Sequence, residues 1–306
     1  VTTALGGSGT ALLAATTLLH LGALVAAVLV ARRVGGRSYA VAVGAVGVVL
    51  VGALGAQFFV TPWNPWIPVL AFFAFLVLLH ATVSGHLAAA PWAVAAGTLC
   101  AQTHVSYMVL VHGLLAAALL AVLVAAWRGW AGIRWARLGR PLAASVVVAV
   151  VMWLPPLWDQ LRGNRNLGWL IGRFTHPCDP RWWGDECAQP VGARTAARAL
   201  AAELNLGGAW ISGARHNPAT VTPSVVGFGV VLVAVVTAAV LAVRRRDRLA
   251  AAGLAVAGAA ALLGWVSAAR ILGDFYDYVI RWSWPIAAYG AAVTVWALWR
   301  SVPDRA

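Results

Sequence analysis

The stretch TPSVVGFGVVLVAVVTAAVLAVRRRDR, residues 222–248, decides the fold class. Residues 222–243 carry no charged side chain. A helix of that length is about 33 Å long at 1.5 Å per residue, enough to cross roughly 30 Å of bilayer hydrocarbon. The run stops at Arg244, Arg245, Arg246 and Arg248, the kind of cluster that holds the cytoplasmic end of a membrane helix.

The pattern repeats in both directions. Hydropathy places nine apolar segments at 9–31, 39–59, 66–83, 87–101, 106–127, 141–157, 222–243, 249–269 and 282–299. The fourth is short enough to be re-entrant instead of a span. The 306 residues are 62% hydrophobic and 10% charged, too little charge to cover a soluble surface. Backbone polar groups in lipid must be satisfied within the segment, so each run must be helical. The short alternating segments of a β-barrel do not occur. The expected fold is all-α: a polytopic transmembrane helix bundle of about nine spans. It forms a single domain over 1–306, with 158–221 as an extracytoplasmic loop insertion.

The formal charge of +13 comes entirely from Arg, since the chain has no Lys. A solvated basic face with interleaved aromatics is missing, so nucleic acid is not an expected partner. The Arg clusters at 32–37, 128–140, 244–248 and in the tail from Arg300 fall on one side if nine spans are counted. That side is placed in the cytoplasm, with the C-terminus. It has 13 Arg against Asp247 and Asp304, whereas the other side has nine Arg and seven carboxylates. The N-terminus and residues 158–221 then face outward from the plasma membrane. The opening VTTALGGSGT lacks a charged n-region and a cleavage site, so no signal peptide is expected. Val1 points to an alternative start codon or to a start further upstream.

The outward segments carry the candidate chemistry. The first acidic residue in the chain is Asp159, at the outer end of a span and close in sequence to Arg162 and Arg165. It is either the carboxylate edge of a phosphate site or half of an interfacial ion pair. Arg270, Asp274, Asp277 and Arg281 bracket the last outer loop with Tyr276 and Tyr278. Asp274 and Asp277 would share a face if helical, and the group is either a ligand site or two local ion pairs. Gln102, Thr103 and His104 break two apolar runs, and His104 could act as acid, base or helix-end donor. Trp63 and Asn64, in the turn WNPW at 63–66, belong to an interfacial belt or a pocket rim.

The long segment is rich in Trp, which argues against disorder. Cys178 and Cys187 flank DPRWWGDE there, and an outward location makes a disulfide the expected state over two free thiols. Cys100 sits in an apolar run as a small core residue. The run from Thr195 has helical character, either along the membrane surface or packed in the bundle. No metal site is expected, because no CxxC pair exists and His176 alone is near. The chain has no GxxxxGK[ST], GxGxxG or HExxH.

Four stretches together carry a family resemblance: PWNPWIPVL at 62–70, PWAVAAGT at 91–98, QTHVSY at 102–107, and WLPPLWDQ at 153–160 followed by GNRNL at 163–167. They resemble an actinobacterial family of polytopic membrane proteins, itself similar to the GT-C superfamily of glycosyltransferases, which includes the protein mannosyltransferase and aminoarabinose transferase types. The resemblance covers most of 9–170 and the rest more loosely. It implies inverting transfer, outside the membrane, from a polyprenyl-phosphate sugar donor held among membrane lipid. A carboxylate would activate the acceptor, and Arg would hold the lipid phosphate. On that reading Asp159 is the catalytic carboxylate and Arg162 and Arg165 are phosphate contacts. Gln102, His104, Asp274, Asp277, Arg281, Trp63 and Asn64 are further substrate-binding candidates. No cofactor is expected, and a divalent metal stays open. The chain departs from the superfamily in lacking the acidic first outer loop, as though about a hundred N-terminal residues were missing. It is then a truncated or a non-catalytic relative. The alternatives are a transporter or flippase of envelope lipids, and a membrane scaffold. Oligomeric state is not legible.

Overall fold

The computed structural model describes residues 9–184 and 186–302. Residues 1–8, Asp304 and Arg305, which enter the topology argument, lie outside them. In chain order the helices are α1 (Gly9–Leu54), α2 (Ala56–Val60), α3 (Pro68–Val83), α4 (Ala90–Thr103), α5 (Met108–Arg128), α6 (Gly139–Arg162), α7 (Asn166–Thr175), α8 (Pro180–Trp183), α9 (Ala193–Glu203), α10 (Ala209–Ser212), α11 (Val225–Arg244), α12 (Arg248–Ala269) and α13 (Ser283–Arg300). Among the described residues there is no strand, only an isolated bridge between Pro190 and Leu272. Each of the nine apolar segments is helical over most of its length, the second crossing from α1 into α2 at Gly55. Among the described residues five helices are long and apolar enough to cross a membrane: α1, α5 with the preceding turn from Val105, α6, α11 and α12.

The outer surface of the bundle is apolar. Val146, Val147, Val150, Val151 and Leu154 of α6 are exposed, as are Val226, Val233, Val236 and Val243 of α11. So large an exposed apolar area marks a membrane protein.

The first two apolar segments are not separated by a loop at 32–38. The helix runs through the Arg cluster and bends at one residue, Gly36, at φ 73° and ψ −161°. That region of backbone space is essentially closed to residues with a Cβ. A straight helix of 46 residues would be about 69 Å long, twice the bilayer. The bend instead folds 37–54 back along 9–35. A Cβ on Gly47 would touch Leu24, and one on Gly44 would touch Val28. Farther along, the Thr17 hydroxyl donates to the Phe59 carbonyl (3.3 Å). Gly35 sits so close to Trp296 that a Cβ there would clash with the indole.

At the centre stands α3. Residues 68–82 are buried on every face, as expected for a helix with no polar stripe. The helices α1, α4, α5, α12 and α13 pack around it. Near its C-terminal end a polar pin joins three elements. The Tyr39 hydroxyl donates to His80 Nδ1 (2.9 Å), and His80 Nε2 donates to the Leu249 carbonyl (2.9 Å). A carbonyl can only accept, so the proton sits on Nε2.

The four Arg clusters share this end of the bundle. Gly35 and Tyr39 lie against Trp296. Arg300 pairs with Asp247 (2.6 Å), and Asp247 caps α12 by accepting from Ala250 N. Leu87, just beyond α3, packs against the small cluster that Ile133 and Leu138, between α5 and α6, form with Val122, Ala125 and Ala126. The remaining loops gather at the opposite end. Segment 158–221 is not structureless: it holds the end of α6 and four further helices. It is tied down where Val191 N donates to the Ile271 carbonyl and Gly273 N to that of Gln189. Of the two expectations for the run from Thr195, packing prevails. In α9, Ala196, Ala199 and Leu200 are buried against α12 and α13, while Arg194 and Arg198 are exposed.

Candidate functional site

Three loops meet at the end opposite the Arg clusters: 61–67, 104–107 and 270–282. Trp66 N and Ile67 N donate to the Trp63 carbonyl, a turn that suits Pro65. The turn leaves Trp63 and Asn64 exposed. Tyr276 and Tyr278 stack at 5.4 Å with their planes 10° apart. Tyr278 lies 5.2 Å from Trp63 and 6.4 Å from His104. The result is an aromatic shelf, with Trp63 and Tyr276 each nearly half exposed.

His104 Nδ1 accepts from Ser106 N (3.3 Å), so in the neutral ring Nε2 carries the proton. Burial pushes its pKa below the ordinary value. Gln102 is spent on packing: its Nε2 donates to the Met152 carbonyl of α6 (2.8 Å).

Asp274 and Asp277 do not share a helical face. The backbone is irregular until a short 3-10 turn starts at Asp277. Asp274 accepts from the Tyr276 hydroxyl (2.8 Å), which holds that phenol above its usual pKa. Asp277 pairs with Arg281 four residues on. Arg281 is buried, with its guanidinium 4.1 Å over the Trp284 ring. Burial works against its charge, and Asp277 and Glu203 counter that. Of the two local ion pairs considered for this loop, one forms.

Behind Arg281 lies Glu203, which the sequence reading did not single out. It is 6% exposed. Its Oε2 has no hydrogen-bond partner. Desolvation by burial pushes its pKa up to about 7, against the opposing pull of Arg281. A signal was present in the sequence. Glu203 stands seven residues after Ala196 and three after Leu200, so it is an acid on the apolar stripe of its helix.

Asp159 lies elsewhere. Gln102 meets Met152, so Asp159 projects about 10 Å farther along α6. There it serves its own turn. One carboxylate oxygen accepts from Asn164 N (3.1 Å), and the other from Asn166 N (3.2 Å) and Asn166 Nδ2 (2.9 Å). It thus caps the start of α7 from the preceding helix, satisfying donors that a helix N-terminus leaves free. Arg162 and Arg165 do not pair with it. Arg162 shares with it a shallow, open hollow on α6, lined also by Leu154, Pro155 and Trp158. Arg165 takes a left-handed backbone, φ 57°.

Cys178 and Cys187 are joined by a disulfide. The loop they close is anchored by Trp183, which donates to the Arg173 carbonyl (3.1 Å), lies under the Arg173 guanidinium and packs on Gly273. Cys100 is a buried free thiol. Among the described residues no group of three or more His, Cys, Asp or Glu could hold a metal ion.

Fold and surface together define an all-helical membrane protein with its Arg clusters at one end and a buried acid–guanidinium cluster under an aromatic shelf at the other. No protein-family model, curated protein or solved structure matches the chain.

Proposed function

We propose that this is a nine-span membrane transferase of the GT-C type. It acts at the end opposite the Arg clusters on a sugar carried by a polyprenyl phosphate. One observation carries the reading: Trp63, Tyr276, Tyr278, His104, Asp277 and Arg281 converge there from three loops. Aromatic faces suit sugar rings, a guanidinium suits a phosphate diester, and a partly exposed carboxylate suits activation of an acceptor hydroxyl. The positive-inside rule puts the Arg end in the cytoplasm and this site outside, at the surface of the plasma membrane.

The hydrogen bonds of Asp159 within its own turn favour Asp277 over it as the activating carboxylate. The test is transfer from a panel of purified polyprenyl-phosphate sugars by the chain in proteoliposomes. Asp277→Asn is expected to lower the rate at least 100-fold, the usual scale for a positioned acid or base, and Arg281→Lys is expected to lower it through loss of the planar, two-point phosphate contact. Asp159→Asn is expected to cost far less. Full activity of Asp277→Asn would remove the assignment. Flux of the same lipids across protein-containing vesicles, without transfer, would favour the transporter alternative instead.

A further inference from the structure

Arg281 stands between two carboxylates in unlike surroundings. Asp277 is 29% exposed at its side chain and pairs with Arg281 directly. Glu203 approaches from α9 and is buried. Two atoms of this cluster lack partners: Glu203 Oε2 and Arg281 Nε. Arg281 also lies within the field of a second guanidinium, that of Arg215, which is exposed. From the loop before α5, Tyr107 feels the charge of Arg281, and His104 stands beside Tyr278. Residues 249–269 of α12 and all of α10 carry no ionisable side chain, and α13 carries only Tyr289 and, at its far end, Arg300.

Burial disfavours the charged form of a carboxyl, and a buried acid balanced near neutrality changes charge over a narrow pH range. Here that acid adjoins the guanidinium read above as a phosphate contact. With Glu203 protonated, two guanidiniums face one carboxylate, so the cluster carries one net positive charge. With Glu203 ionised, two carboxylates balance them and the cluster is neutral.

We propose that Glu203 is a proton-binding switch on the Arg281 site. The site takes up a phosphate diester when Glu203 is protonated and releases it when the proton leaves to solvent. The inference rests on the reading of Arg281 as a phosphate contact, and the two are separable by experiment.

The chain contains two glutamates, Glu186 and Glu203. Side-chain carboxyl-13C glutamate labelling in a Glu186→Gln background therefore reports Glu203 alone. The carboxyl resonance is expected to titrate with a midpoint near 7. A midpoint below about 5.5, close to an ordinary glutamate, overturns the switch. Binding is then read with a farnesyl methyl phosphodiester, whose single negative charge is fixed across the range. Wild type is expected to bind about tenfold more tightly at pH 6 than at pH 8, the effect of one nearby unit charge partly screened. Glu203→Gln is expected to bind equally at both. Wild-type binding without pH dependence overturns the switch and leaves the phosphate reading standing. No binding at either pH removes both.

Discussion

The bend in α1 offers the sharpest test of the fold. Gly36 sits at φ 73° and ψ −161°, and a Cβ there would meet nothing within 4 Å. Gly36→Ala therefore tests backbone strain without steric crowding. The strain is about 1–3 kcal/mol. Gly22→Ala is the matched control: it lies in the same helix, in open space, with ordinary helical backbone. Alanine there gains up to about 1 kcal/mol of helix propensity. The two variants should differ by about 1–4 kcal/mol, with Gly36→Ala the less stable. At about 2 °C per kcal/mol for a chain of this size, the gap in Tm is about 2–8 °C. Tryptophan fluorescence during thermal unfolding in detergent would read it. If Gly36→Ala melted at or above Gly22→Ala, the left-handed bend would not be a constraint on the native state, and the hairpin would need another cause.

Two further outcomes follow from the end that carries the aromatic shelf. Cys178→Ser should free the loop between residues 177 and 188, losing about 2–3 kcal/mol of local constraint for a ring this small. Arg181, whose side chain is 78% exposed within that loop, should then be cleaved by trypsin much faster than in wild type, and equal cleavage rates would count against it. Glu203 should make stability depend on pH. Burial raises its folded pKa to about 7, above the ordinary glutamate value of 4.5, so the folded state holds the proton more tightly. The associated stabilisation is complete below about pH 4.5, declines as pH rises and is lost above 7, in total on the order of 3 kcal/mol. Glu203→Gln should flatten that decline in a Tm series from pH 5 to 8, and an unchanged slope would refute the assignment.

Legibility differed by residue. The helix 225–244 was readable because a long uncharged run has one solution in lipid. Trp63, His104, Asp277 and Arg281 were nameable because polar and aromatic residues are conspicuous between apolar runs. Their grouping was not readable, since it depends on how three loops are brought together by α3, α5 and α13. Asp159 is conspicuous as the first acid, and what the sequence does not show is that its carboxylate accepts bonds from the turn that follows it. Glu203 lies on the buried face of α9, a position that shows only when its run is laid out as a helix and packed against its neighbours.

Local chemistry, written in order along the chain, was enough to set the protein class, the helical segments and the common side of the Arg clusters. Each depends on the hydropathy and charge of one short window, and windows add without reference to one another. The tertiary structure alone decided the reversal at Gly36 and which groups meet. His80 bonds to a carbonyl 169 residues away, and Arg281 stands between an acid from its own loop and another from α9. Long-range contacts of this kind are fixed by packing around a buried helix, where desolvation decides which charges are kept, and no single window contains that information.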